Sequence, residues 1–191
     1  MVRLQPPHYR SLNLSTTEAT NSRERAEHVS RGRVIAGSVA IGVLAAAALR
    51  GMARRFEIKE ASMAPTLEPG DWVVAKRRSG VPKRGDIVVF TDPTGSGLNL
   101  TKRVIGLPGE LITVEGGVLS IDGAILADGW AVGATAPDGE WEVPNDRVWV
   151  LGDNRGTSRA DGRMLGPTPI EDLDWKIMAT YWPKSRIRSI G

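Results

Sequence analysis

The sequence predicts a mainly β protein, an antiparallel β-sheet domain preceded by one transmembrane α-helix. Residues 34–49, VIAGSVAIGVLAAAAL, hold no charged side chain over 16 positions. From residue 56 onward, short runs rich in β-branched and aromatic residues follow one another closely. Turn-forming pairs built on glycine, proline and aspartate separate those runs.

Residues 1–30 are polar, without apolar periodicity, and rich in Ser, Thr, Asn, Arg and Glu from Ser11 onward; they read as a disordered tail. Residues 31–53 read as the anchor. Extended past Arg50 by Gly51, Met52 and Ala53, the apolar run reaches the roughly 20 residues that span a hydrocarbon core. A cleavable signal peptide and a buried soluble helix are the competing readings. Basic residues flank both ends, with Arg23, Arg25, Arg31 and Arg33 before and Arg50, Arg54, Arg55 and Lys59 after, so charge alone leaves the orientation open. Residues 54–191 form the β domain. Its expected strands include WVVA (72–75), DIVVF (86–90), KRVIG (102–106), LITV (111–114), VLSID (118–122) and VWVLG (148–152). Residues 111–147 read as a small insertion within it. Asp128–Pro144 reads as a loop, and a short helical piece is expected near Ile170–Asp174.

Composition removes several chemistries. Cysteine is absent, which excludes disulfides, thiolate metal sites and a cysteine nucleophile. The two histidines, His8 and His28, precede the apolar run, so a Ser-His-Asp triad is excluded from the folded region. The net charge is only +3. No basic run interleaved with aromatics marks a nucleic-acid partner.

Three segments carry side chains suited to chemistry. In EASMAPTLEPGD (60–71), Pro65 and Pro69 stiffen the backbone after Ser62. A serine hydroxyl needs a base before it can attack. Without histidine, that base is a carboxylate or a lysine whose pKa burial has lowered. Lys102 lies in LTKRVIGLPG among Leu100, Val104 and Ile105, on the face of Val104 and opposite Arg103. A structural loop serine and a half-exposed edge lysine fit the same local patterns. In GDNRGTSRADGR (152–163), Asn154, Thr157 and Ser158 can orient an amine, and Asp161 can pair with Arg163 or Arg103. A polar turn with local bonds also fits.

Together these segments resemble the boxes of the bacterial type I signal peptidases, the Ser/Lys leader peptidases. SMAPTLEPGD (62–71) is similar to the nucleophile box, KRVIGLPGE (102–110) to the box carrying the base, and GDNRGTSRADGR to the third. RGDIVVF (84–90) matches the strand between the first two. The boxes stand in the family's order, with Ser62 and Lys102 40 positions apart.

The resemblance implies a membrane-bound serine endopeptidase that removes signal peptides from secreted preproteins. Ser62 is then the nucleophile and Lys102 the general base, with the Ser62 N–H in the oxyanion hole. Met63 belongs to an apolar surface that accepts Ala-x-Ala-like cleavage sites. The family's topology places a single-pass anchor in the cell membrane, in contact with lipid, with the tail inside and the catalytic domain outside. No metal or organic cofactor is implied. Two departures stand out. Glu60 occupies the place of a small residue two before the nucleophile, which leaves the second oxyanion donor open. Two residues separate Ser158 from Asp161 where the family has one. Ser158 is the preferred hydroxyl to touch Lys102, with Thr157 second, and Asp161 with Arg163 is expected to brace the box against Arg103. The alternatives are a dedicated maturation peptidase of the same Ser/Lys type and an inactive membrane-anchored β interaction domain.

Overall fold

A computed structural model of the chain describes residues 51–190. The expected tail, and the anchor up to residue 50, lie outside them. Among the described residues no helix is long and apolar enough to cross a membrane.

In chain order the strands are β1 (Ala53–Glu57), β2 (Trp72–Arg77), β3 (Ile87–Thr91), β4 (Asn99–Gly106), β5 (Leu111–Glu115), β6 (Val118–Ile121), β7 (Ala124–Ile125), β8 (Gly139–Glu142) and β9 (Arg147–Leu151). A one-turn helix α1 (Gly162–Leu165) precedes β10 (Thr168–Pro169), β11 (Leu173–Trp182) and β12 (Arg188–Ser189). The main sheet runs β1-β2-β11-β3-β4-β9-β10, with β12 on β11, and a second sheet runs β7-β6-β5-β8. Every strand ladder among the described residues is antiparallel. This is the architecture expected from the turn-punctuated runs.

Burial explains the strand sequences. In β2 the inward Val73 and Ala75 alternate with outward residues, as a half-buried strand requires. In β3 Ile87, Val88, Val89 and Phe90 are all buried, because both faces of the sheet centre are covered. Ile87 and Val89 join Met63, Leu67 and Ile177 in one core. Val88 and Phe90 join Val104 and Val150 in another. A third core lies under the second sheet, where Ile112, Val114, Leu119 and Ile121 meet Ile105, Trp149 and Leu151. The β5–β6 hairpin turns on Gly116 (φ 57°) and Gly117 (φ 86°), a pair of positive dihedrals that the tightest hairpins need.

Several local expectations change. Ala53, assigned to the anchor, opens β1 and pairs with Lys76. The 128–144 loop contains β8, which pairs with β5. The helical piece is a single 3-10 turn at Ile170–Asp172, and the chain enters β11 at Leu173. Within the expected insertion, Trp141 of β8 packs against Trp149 with ring centroids 5.1 Å apart, at the margin of the third core.

Candidate active site

Ser62 lies in a 3-10 turn, Ala61–Met63, that follows the extended backbone of Glu60. The Met63 side chain is fully buried in the first core, which pins the turn from below, and it also lines the groove above. Leu67 adds a second apolar anchor, and its N–H donates to the Met63 carbonyl at 2.8 Å. The far end of the segment is held by Asp71, which accepts Arg186 Nε at 2.8 Å and the Glu68 N–H at 2.9 Å. Two apolar side chains and a buried carboxylate thus fix the backbone segment that carries Ser62.

Lys102 comes from β4, which runs beneath that turn. Its Nζ lies 3.1 Å from Ser62 Oγ, and the residue is only 3% exposed. Burial pushes the Lys102 ammonium below its ordinary pKa, because an apolar surrounding favours the neutral amine. Asp161 and then Glu60 act the other way, by favouring the charged form. Arg163 adds to the lowering, and Asp153 opposes it weakly.

The third box sits against this pair. The backbone N–H of Asn154 donates to the Ser62 carbonyl at 3.0 Å. Arg103 makes a two-pronged pair with Asp153, Nε to Oδ1 at 2.8 Å and Nη2 to Oδ2 at 2.6 Å. It also donates to Thr66 Oγ1 at 3.3 Å, which links β4 to the segment that follows Ser62. The expected brace between Asp161 and Arg103 is therefore corrected: Asp153 is Arg103's carboxylate. Asp153 enters the site two positions after the end of β9, and β9 pairs with β4 with Leu151 opposite Arg103. Asp161 does pair with Arg163 at 2.9 Å, and it caps α1 by accepting the Arg163 N–H.

The supporting hydroxyls fall differently from expectation. Ser158 is buried, but its Oγ donates to Asp161 Oδ2 at 2.6 Å. Thr157 is exposed, and its N–H donates to Asn154 Oδ1 at 3.3 Å. Among the described residues the one hydrogen bond of Lys102 Nζ goes to Ser62. Ser158 thus meets the carboxylate that acts on Lys102, rather than the amine itself. Sequence reasoning passed over Asp153, Arg155 and the N–H of Asn154. Their only signal was their position immediately after a strand run.

Above the pair lies a groove walled by residues 56–60 on one side and 97–102 on the other, with Ser62, Met63 and Val89 between. Among the described residues β1 pairs only with β2, and β4 meets β9 only from Arg103 onward. The groove therefore runs between two strand segments with unpaired edges.

A buried lysine amine with its pKa pushed below the ordinary value, against a serine hydroxyl at the base of a groove in an antiparallel β domain, defines a site suited to acyl transfer through a serine ester. Comparison with known proteins makes the class specific. The family model described as signal peptidase, peptidase S26, matches residues 31–182. The chain is 36% identical over 148 residues to a signal peptidase I of Leptolyngbya laminosa, covering 70% of this chain and 71% of that protein. It is 29% identical over 189 residues to a signal peptidase I of Pseudomonas fluorescens, covering 69% and 66%. It is 31% identical over 164 residues to thylakoidal processing peptidase 1 of Arabidopsis thaliana, covering 78% of this chain and 47% of that protein. The chain belongs to the signal peptidase family, peptidase S26.

Proposed function

We propose that the protein is a membrane-bound serine endopeptidase that removes N-terminal signal peptides from secreted preproteins. The observation that carries this reading is the 3.1 Å approach of the buried Lys102 amine to Ser62 Oγ. A preprotein lies extended in the groove, where the unpaired edges beside 57–60 and 99–101 take its main chain as an added strand. The apolar floor at Met63 and Val89 accepts small side chains of an Ala-x-Ala-like site.

Ser62 Oγ attacks the scissile carbonyl carbon while its proton passes to Lys102 Nζ. The Ser62 N–H receives the charge that develops on the carbonyl oxygen. Collapse breaks the C–N bond, and Lys102 returns the proton to the leaving amine. Water then attacks the ester as its proton passes to Lys102, and the acyl C–O bond breaks as Lys102 returns that proton to Ser62 Oγ, releasing the carboxylic acid product. Arg103, Asp153, Asp161, Arg163 and Ser158 hold the frame around this exchange. No cofactor enters any step.

The apolar run at 34–49 supports a single-pass anchor with the catalytic domain on the extracytoplasmic side. Trp72 and Trp182, paired across β2 and β11, are both exposed beside Arg55 and Tyr181. Exposed tryptophan beside arginine suits the headgroup region of a bilayer. Glu60 in the groove wall favours a second reading, a dedicated maturation peptidase with one precursor. The test is cleavage by the full chain in detergent of a precursor ending in Ala-x-Ala. Ser62→Ala and Lys102→Ala should each abolish the cut while the domain stays folded. Near-normal activity of Lys102→Ala would sink the mechanism, and a panel of precursors separates a general enzyme from a dedicated one.

A further inference from the structure

We infer that residues 128–136 form a clasp that positions Ser62 through the backbone of Asn154. The inference rests on Ser62 being the nucleophile, and it adds a set of positioning residues that do not touch substrate.

The clasp grips the short stretch 153–155 at both ends. The Val132 N–H donates to the Asp153 carbonyl at 2.8 Å, and the Arg155 N–H donates to the Val132 carbonyl at 3.0 Å. Val132 and Asn154 form a parallel bridge, unlike every strand ladder among the described residues. The Val132 side chain is 48% exposed, so its main chain makes the attachment and apolar burial contributes little. The Arg155 guanidinium, buried, donates to the Asp128 carboxylate and to Thr135 Oγ1. Trp130 lies over the Arg103 guanidinium at 4.7 Å, covering the ion pair that Arg103 makes with Asp153. At the other end of the box, Arg163 donates to the Ala136 carbonyl at 2.7 Å.

Between these attachments the Asn154 N–H holds the Ser62 carbonyl. That bond sets the plane of the nucleophile's own peptide group, and with it the approach of Oγ to Lys102. Displacements of about 1 Å at a reacting group can cost on the order of 100-fold in rate. No clasp residue lines the groove, which is walled by 56–60 and 97–102. Loosening the clasp should therefore lower kcat and leave KM alone. A loosened box also admits water to Lys102, which weakens the burial that keeps its pKa down, so the acid limb of the pH profile should move to higher pH.

The test uses the full chain in detergent with the Ala-x-Ala precursor. Asp128→Asn removes the charge that meets Arg155, Val132→Pro removes the N–H that meets Asp153, and Thr135→Val leaves the ion pair in place. Each is assayed well below its own melting temperature. We expect kcat to fall about tenfold in Asp128→Asn and Val132→Pro, with KM within about twofold and the acid limb raised. Thr135→Val should show the same pattern more weakly, and Asp128→Glu should recover most of the rate. Unchanged kcat in folded variants overturns the clasp, as does a rise in KM alone or a loss that only follows melting temperature. A wild-type chain that fails to cut the precursor overturns the parent reading and the clasp with it. Cleavage by the wild type with full activity in the variants overturns the clasp alone.

Discussion

On the proposed mechanism Lys102 serves the chemistry at a cost to the fold. Its amine is buried and its pKa is lowered by that burial, so the native state binds fewer protons than the unfolded chain between the lowered value and about 10.4. Stability must rise with pH across that window. The penalty is fully present below the lowered pKa and vanishes above the ordinary one. Lys102→Met, which keeps the stem and removes the amine, should raise the melting temperature at neutral pH, by about 2–4 °C per kcal/mol relieved. Scans at rising pH should show the gain fading towards pH 10.5, and a gain independent of pH would contradict the burial account. On the proposed mechanism activity needs the free amine, so its acid limb follows the same pKa. Exposed Glu60 favours the charged form. Glu60→Gln should therefore move the acid limb of kcat/KM to lower pH; movement to higher pH would count against that charge acting on Lys102. Composition narrowed the candidates by removing cysteine and leaving no histidine in the folded region, and the order of the boxes then singled out Ser62 and Lys102, which the fold brings within 3.1 Å. The partner of Arg103 was not legible. It depends on the register of β4 against β9, which places side chains 50 positions apart in contact.

Among the elements, two glycines separate what holds the fold from what holds the site. A Cβ on Gly152 would stand 2.3 Å from Ser158 Oγ and 2.6 Å from the Ser62 carbonyl oxygen. A Cβ on Gly106 would stand 2.8 Å from Ile112 Cδ1 and 2.9 Å from Trp149 Cβ, where the second sheet crosses the main one. Both alanine variants overpack and should lose about 1–3 kcal/mol. Only Gly152→Ala presses on the Ser62 backbone, so on the proposed mechanism it should also lose on the order of 100-fold in kcat. Gly106→Ala should cleave at near wild-type rate wherever it remains folded. Comparing denaturation midpoints with initial rates checks both, and equal rate losses would refute the distinction. The same view of elements explains which strands the sequence announced. β2, β3, β5, β6 and β9 are compact apolar or alternating runs bounded by turn residues. β11 escaped notice because bulges between Ile177 and Ala179 and between Thr180 and Trp182 break its alternation. β1 is a mostly exposed edge strand, ARRFE, and β8 is four residues, GEWE, without a buried member. Such strands are specified by the ladder they join, which composition alone does not reveal.

For the whole molecule, the decisive relation is between the apolar run and the sheet. The run ends at Leu49 and β1 begins at Ala53, so a fully extended connection reaches at most about 14 Å. On the proposed anchoring, the domain meets membrane-delivered substrate at a raised effective concentration, without any new contact in the groove. The groove, the Ser62–Lys102 pair and all three cores are built from residues after Phe56 or from Phe56 itself. Removing residues 1–50 should therefore leave the chemistry intact and abolish the proximity. The truncated chain should cut a short soluble Ala-x-Ala peptide with kcat/KM within about twofold of the full chain. On a preprotein inserted in lipid vesicles it should fall at least about tenfold behind. Salt should matter for the remainder: if Arg55 beside Trp72 and Trp182 meets anionic headgroups, the truncated chain's residual activity on anionic vesicles should drop as ionic strength rises. Equal losses on the peptide and the vesicle substrate would mean that the segment before residue 51 supports the fold of the site, and the anchoring account would be wrong.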